Sequence, residues 1–183
     1  MTLYLGIDQS FGGFGLTRLY PAYADISVVK FTSVKYGKGV DRLMDVESWL
    51  GKQIELLPEY PVHVAMEGWS RGSKNRREEM GELAYAVKRV LRWHLPEPVC
   101  YPTIIAPSKV KLFATGNGNA SKEEMIAGVK ERWGVECADD NAADSYALAR
   151  MAQYLSEPHG TDTRLHERKA IRDVTRHTER MAR

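Results

Sequence analysis

The strongest constraint on the fold is the order in which hydrophobic periodicity changes along the chain. Three short strand-like runs come first, over residues 3–8, 14–20 and 26–34, separated by Gly12 and Gly13 and then by Pro21, which is hairpin punctuation. The period then lengthens: Leu43, Val46, Leu50, Ile54 and Leu57 recur at helical spacing over residues 41–57, and Pro58 stops the run. Residues 63–66 read as a fourth strand. Met80, Leu83, Ala84, Val87, Val90 and Leu91 mark a second helix that Pro96 ends, and residues 99–105 read as a fifth strand. A short helix opens at Pro107 and Ser108, with Gly116 as its left-handed cap. Ser121-Lys122-Glu123-Glu124 is a capping box above Met125, Ile126 and Val129, and an alanine-rich helix covers residues 141–155. Hairpin-joined strands followed by alternating helices and strands predict an α/β fold, a mixed five-stranded sheet flanked by helices.

A chain of 183 residues suits one such domain. We place it at residues 1–157, with residues 158–183 as a tail rich in charge of both signs. Cys100 and Cys137 lack the CxxC spacing of a zinc ribbon or redox pair, and the five histidines show no HExxH pattern. No apolar run approaches the ~18 residues that would span a bilayer. The N-terminus enters a strand-like run directly, without a signal-peptide layout. The expectation is a cytoplasmic protein. A net charge of +2 is too small to announce a nucleic-acid ligand, so the placement of the charges must decide.

Acids stand where the apolar segments end. Asp8 closes the first strand, Glu67 closes the fourth, and Asp140 and Asp144 lie four residues apart where the last core helix begins. A helix puts i and i+4 on one face. Taken singly, an acid at a strand end is usually solvated, and Asp139 or Asp140 suits a helix N-cap. As an ordered set, Asp8, Glu67, Asp140 and Asp144 suit a hard divalent cation, which takes oxygen ligands and completes its shell with water and substrate phosphate.

Gly6-Ile7-Asp8, Ala65-Met66-Glu67, Ala106-Pro107-Ser108-Lys109-Val110-Lys111, the turn from Thr115 to Lys122, and Ala142-Ala143-Asp144-Ser145-Tyr146-Ala147-Leu148-Ala149 resemble RuvC-type Holliday-junction resolvases (crossover junction endodeoxyribonucleases), especially phage-encoded forms. The resemblance runs in motif order over roughly residues 3–155. It implies an RNase H-like fold and a homodimer that binds branched DNA, the four-way junction. It further implies symmetric paired nicks made by a metal-activated water, with Mg2+ or Mn2+ as cofactor and Asp8, Glu67, Asp140 and Asp144 as catalytic metal ligands. One departure stands out: the first of the family's two helical acids falls on Asn141, so the fourth ligand is assigned to Asp140, with Asn141 and Asp139 as alternatives.

Basic residues lie beside these acids. Trp69, Arg71, Lys74, Arg76 and Arg77 follow Glu67, and Lys109, Lys111 and Lys122 precede the last core helix. Cations here would hold phosphates and steer the approach of DNA, and Trp69 would stack on an exposed base. The alternatives are a core position for Trp69 and a solvated helix face for Lys109. Lys111 or Lys122 would stabilise charge developing on the scissile phosphate.

Three rival functions remain at this level. A nuclease of the same fold acting on RNA or RNA–DNA hybrid would use the same acids, and a non-catalytic junction binder would need no metal. A sugar-kinase or actin-like ATPase would use Gly12, Gly13 and Gly15 after Asp8 as a phosphate hairpin, but such enzymes need two duplicated domains and this chain has room for one.

Overall fold

The computed structural model describes residues 2–20, 22–68, 77–157 and 163–181, with the backbone alone for residue 77 and residues 177–181. Five strands, β1 (Tyr4–Asp8), β2 (Phe14–Leu19), β3 (Ala24–Val29), β4 (His63–Glu67) and β5 (Thr103–Ile105), form one sheet in the order β3-β2-β1-β4-β5. The β1–β2 and β2–β3 pairs are antiparallel; the β1–β4 and β4–β5 pairs are parallel. Each parallel connection carries a helix, as parallel pairing requires: α2 (Val40–Glu55) between β1–β3 and β4, and α3 (Arg77–His94) between β4 and β5. The expected mixed, helix-flanked five-stranded sheet is therefore present.

Side chains alternate across the central strands, and each face has its own core. Leu5, Ile7, Leu16, Val64 and Met66 pack with Val46, Leu50 and Ile54 of α2 and Leu83, Val87 and Leu91 of α3. On the other face, Tyr4 and Ala65 pack with four further helices: α4 (Pro107–Thr115), α5 (Lys122–Trp133), α6 (Asp140–Ser156) and α7 (Leu165–Met181). A sheet covered on both faces explains why β1 and β2 are buried at every position. Gly116 caps α4 in the left-handed conformation, at φ 81°. Ser121 and Glu124 form the capping box that opens α5. No helix among the described residues is long and apolar enough to cross a membrane.

Two segments depart from the periodicity. The third strand stops at Val29, and Ser33–Tyr36 instead form the short helix α1. Its Tyr36 ring lies 5.0 Å from that of the buried Phe31, a packing that an extended continuation would lose. The fifth strand is confined to Thr103–Ile105, because residues 97–100 form a turn in which Cys100 N–H donates to the Pro96 carbonyl.

The charged C-terminal run has a fold as well. In α7, Ala170, Ile171 and Val174 are buried against the α4–α6 face, and Glu167 is wholly buried. Glu167 accepts hydrogen bonds from Arg132 Nε of α5 at 2.5 Å and from the Arg164 backbone N–H at 2.8 Å. Local pattern hides this helix, since its stripe holds few apolar residues and its buried acid is matched by a cation thirty-five positions away. Breaking a buried ion pair from one side costs about 3–5 kcal/mol. Glu167→Ala is therefore expected to lower the melting temperature by roughly 6–20 °C, at 2–4 °C per kcal/mol for a domain of this size. A thermal melt showing a change below about 2 °C would refute that role.

Candidate active site

Asp8 and Glu67 end adjacent parallel strands. Strand alternation places Tyr4, Gly6 and Asp8 on the face of the sheet that α6 covers, together with Ala65 and Glu67. The end of β4 is fixed by two hydrogen bonds: Gly68 N–H donates to the Ile105 carbonyl at 2.8 Å, and Gln9 Nε2 donates to the Glu67 carbonyl at 2.9 Å. Gln9 is itself buried.

Asp144 reaches the same place because α6 lies unusually close to the sheet. A Cβ at Gly6 would stand 2.0 Å from the Ser145 carbonyl oxygen and 2.3 Å from the Ala149 nitrogen; one at Gly15 would stand 2.5 Å from the Asn141 carbonyl oxygen. One at Gly13 would meet the Asn141 carboxamide at 2.4–2.6 Å. Thr17 and Ser145 complete the seam with a buried hydroxyl pair at 2.8 Å. Small residues on alternate positions of β1 and β2 thus receive the small-residue face of α6. Periodicity and turn chemistry assign Gly13 to a turn and leave Gly6 and Gly15 within strands; the signal for their packing role is the spacing of two between Gly13 and Gly15 along one sheet face.

The acids perturb one another strongly. Burial first, and then the charges of Glu67 and Asp144, push the Asp8 carboxyl well above its usual range. The direct interaction of the two side chains acts in opposite senses, raising Asp8 and lowering Glu67. Burial and Asp144 raise Glu67 to about 7, against the lowering influence of Asp8 and Lys111. Burial and Asp140 raise Asp144 to about 6, opposed by Lys111 and Lys122. Buried like charges without full compensation behave in this way.

The neighbouring residues have distinct placements. Asp139 is the N-cap of α6, accepting from Ala142 N–H at 2.9 Å. Asp140 is half-buried and ion-paired with the exposed Lys122 at 2.6 Å. Such an exposed pair is weak, so it does not commit Asp140 elsewhere. Lys111 Nζ donates to the Ala120 carbonyl at 2.7 Å, which holds it beside Glu67 and Asp144. Lys109 turns the other way and pairs with Asp173 of α7 at 2.6 Å, tying α4 to α7. Trp69, Arg71, Lys74 and Arg76, and the side chain of Arg77, lie outside the described residues.

Among the described residues, no three His, Cys, Asp or Glu side chains close into a ready-made metal cage. Asp8 and Glu67 lie against each other, and Asp140 leans on Lys122. The donor set nonetheless fits a hard cation. Its carboxylates repel one another on rigid elements, and Asp144 Oδ1 is buried without a hydrogen-bond partner.

No protein-family model matches this chain, and no curated protein matches it. Among solved structures it is similar to RuvC of Thermus thermophilus in complex with Holliday junction substrate, at a TM-score of 0.59 and 23% identity over 81% of this chain and 91% of that one. The chain has the RuvC fold. A second T. thermophilus RuvC structure gives a TM-score of 0.58 over the same shares of the two chains, again at 23% identity. At that identity the likeness establishes architecture, and the RuvC-like sheet and helices are what bring Asp8, Glu67 and Asp144 together.

Proposed function

We propose that this protein is a divalent-metal-dependent endonuclease that resolves four-way DNA junctions. The observation that carries the reading is the mutual perturbation of Asp8, Glu67 and Asp144, brought from β1, β4 and α6 to one buried spot on a RuvC fold. The solved RuvC complexed with Holliday junction substrate supports branched DNA as the partner. Asp8, Glu67 and Asp144 would hold the metal, with Asp140 at the rim as fourth ligand and Asn141, against Gly13, as the alternative. A bound Mg2+ or Mn2+ supplies an activated nucleophile and stabilises charge on the leaving oxygen.

The chain's own residues do the remaining work. The close α6–sheet seam fixes the acids relative to one another, which limits reorganisation during reaction. Lys111 stands beside the acids, where it meets charge developing on a phosphate. Lys122, exposed and paired only at the rim, is free to exchange Asp140 for a DNA phosphate. Symmetric nicking of two opposed strands calls for a homodimer, with one such site per strand. Gly13 and Gly15 are accounted for by α6, so two of the three glycines of this hairpin pack a helix and call for no nucleotide, which weakens the ATPase reading.

The deciding assay incubates the protein with labelled four-way junction, duplex and RNA–DNA hybrid, with and without magnesium. Paired, magnesium-dependent nicks in the junction alone are expected. Cutting of hybrid alone would overturn the junction assignment, and binding without any cutting would reduce the protein to a junction binder.

Metal binding also has a predictable pH dependence. Folded-state carboxyl pKa values raised to about 6 and 7 mean that the folded protein holds protons more tightly than the unfolded chain. The stability linked to these groups is complete below the ordinary carboxylate range and is lost as pH rises through 6 to 7. A cation must displace those protons. The metal-free protein is therefore expected to melt lower at pH 8 than at pH 5, and the melting-temperature gain on adding Mn2+ is expected to grow over the same interval. A metal-induced gain independent of pH would contradict this assignment of the acids.

A further inference from the structure

The hairpin turn that follows Asp8 has two sides. One side faces α6 through Gly13 and Asn141. The other carries Phe11, whose carbonyl accepts from Phe31 N–H at 2.9 Å and whose ring is covered by the Arg42 guanidinium at 3.7 Å. Phe31 lies within, and Arg42 just beyond, a segment with unusual charge: residues 26–40 contain Lys30, Lys35 and Lys38 and no acid. All three lysines are exposed. None of them, nor Arg42, forms an ion pair with a described residue, and Arg42 Nε is buried without a hydrogen-bond partner. The acids that flank the segment are Asp25, which is ion-paired with Arg18 at 2.7 Å, and Asp41, at the start of α2. Phe11 is three residues beyond Asp8, which limits the separation along the chain to roughly 11 Å.

We propose that Lys30, Lys35, Lys38 and Arg42 form a phosphate-contacting strip that grips a duplex arm of DNA beside the scissile strand. The proposal rests on the nuclease reading above and adds a surface to it. The acids at the end of β1 repel a phosphate backbone, so DNA reaches them only where cations compensate along its path. The strip supplies such cations on the side of the turn opposite Lys111 and Lys122. Arg42 is held by the Phe11 ring beneath its guanidinium and Lys35 lies over the Tyr36 ring at 4.9 Å, whereas Lys30 and Lys38 act as exposed point charges. Contacts of this kind position the duplex and carry no sequence information.

The rival occupant is a protein, because Val34 and Val40 on this segment and Met44 just beyond it on α2 are exposed at 98%, 70% and 59%. The test measures binding of four-way junction and of plain duplex by fluorescence anisotropy in EDTA across a salt series. It compares wild type with Lys30→Gln/Lys35→Gln/Lys38→Gln and with Val34→Ser/Val40→Ser. Each lost phosphate contact lowers the slope of log affinity against log salt by about 0.9. The lysine variant is therefore expected to lose roughly 2 to 3 from the slope on both DNAs, with an unchanged melting temperature. The valine variant is expected to bind as wild type does. A single Lys38→Gln variant, expected to lose about 0.9, provides the same readout should the triple variant misfold. An unchanged slope in a protein that still cuts junctions would overturn the strip alone, as would loss confined to the valine variant. A wild type that neither binds nor cuts any DNA would overturn the nuclease reading and the strip with it.

Discussion

Asp8→Asn abolishes strand cleavage while leaving junction binding intact: this is the largest change expected on activity. Asp8 is the most deeply buried of the four site acids, and it faces Glu67 and Asp144 together. Asparagine keeps the shape and removes the charge a cation needs. Removing a single group that stabilises transition-state charge costs about a hundred- to a thousandfold in rate, and loss of a metal ligand falls at or beyond that range. Glu67→Gln is expected to behave alike. Both substitutions also relieve mutual repulsion among buried carboxylates, so the variants are expected to melt no lower than wild type without metal, and DNA binding, driven by cations elsewhere, is expected to persist. Nicking of labelled junction and anisotropy on the same preparations check this. Cleavage retained by either variant would remove that residue from the site.

The largest expected effect on folding comes from a residue with no side chain. Gly6→Val drives a branched side chain into the backbone of α6, where even one Cβ would lie 2.0 Å from the Ser145 carbonyl oxygen. Backbone atoms within a helix cannot yield singly, so α6 must lift from the sheet. Overpacking a tight core costs about 1–3 kcal/mol and occasionally more; here the top of that range is a floor. Gly6→Ala is expected to lower the melting temperature by roughly 6–12 °C and to reduce cleavage by displacing Asp144. Gly6→Val is expected to yield little folded protein. Gly81 supplies the contrast: it lies within α3, and a Cβ there meets nothing within 4 Å. Gly81→Ala is expected to stabilise by about 0.5–1 kcal/mol, through helix propensity and a less flexible unfolded chain. Equal melting temperatures for Gly6→Ala and wild type would refute the close-approach argument.

Much of this protein was legible in the chain alone, because the signals concerned are local. Alternation of period, the turn at Gly12 and Gly13, the capping box at Ser121 and the left-handed cap at Gly116 each depend on neighbours within a few residues. They were enough to give the mixed sheet and its helices. The acids at the ends of β1 and β4 and at the start of α6 were legible as an ordered set for the same reason. Tertiary structure alone decided which charges meet. Asp139 is taken by the N-cap and Lys109 by Asp173, Asp140 meets Lys122 in a weak pair at the rim, and Glu167 is buried against Arg132. Gly6, Gly13 and Gly15 serve the approach of a helix more than 120 residues later in the chain. Periodicity reports which face of an element is apolar; it carries no record of the partner across that face, and the partner sets the charge, the spacing and the chemistry.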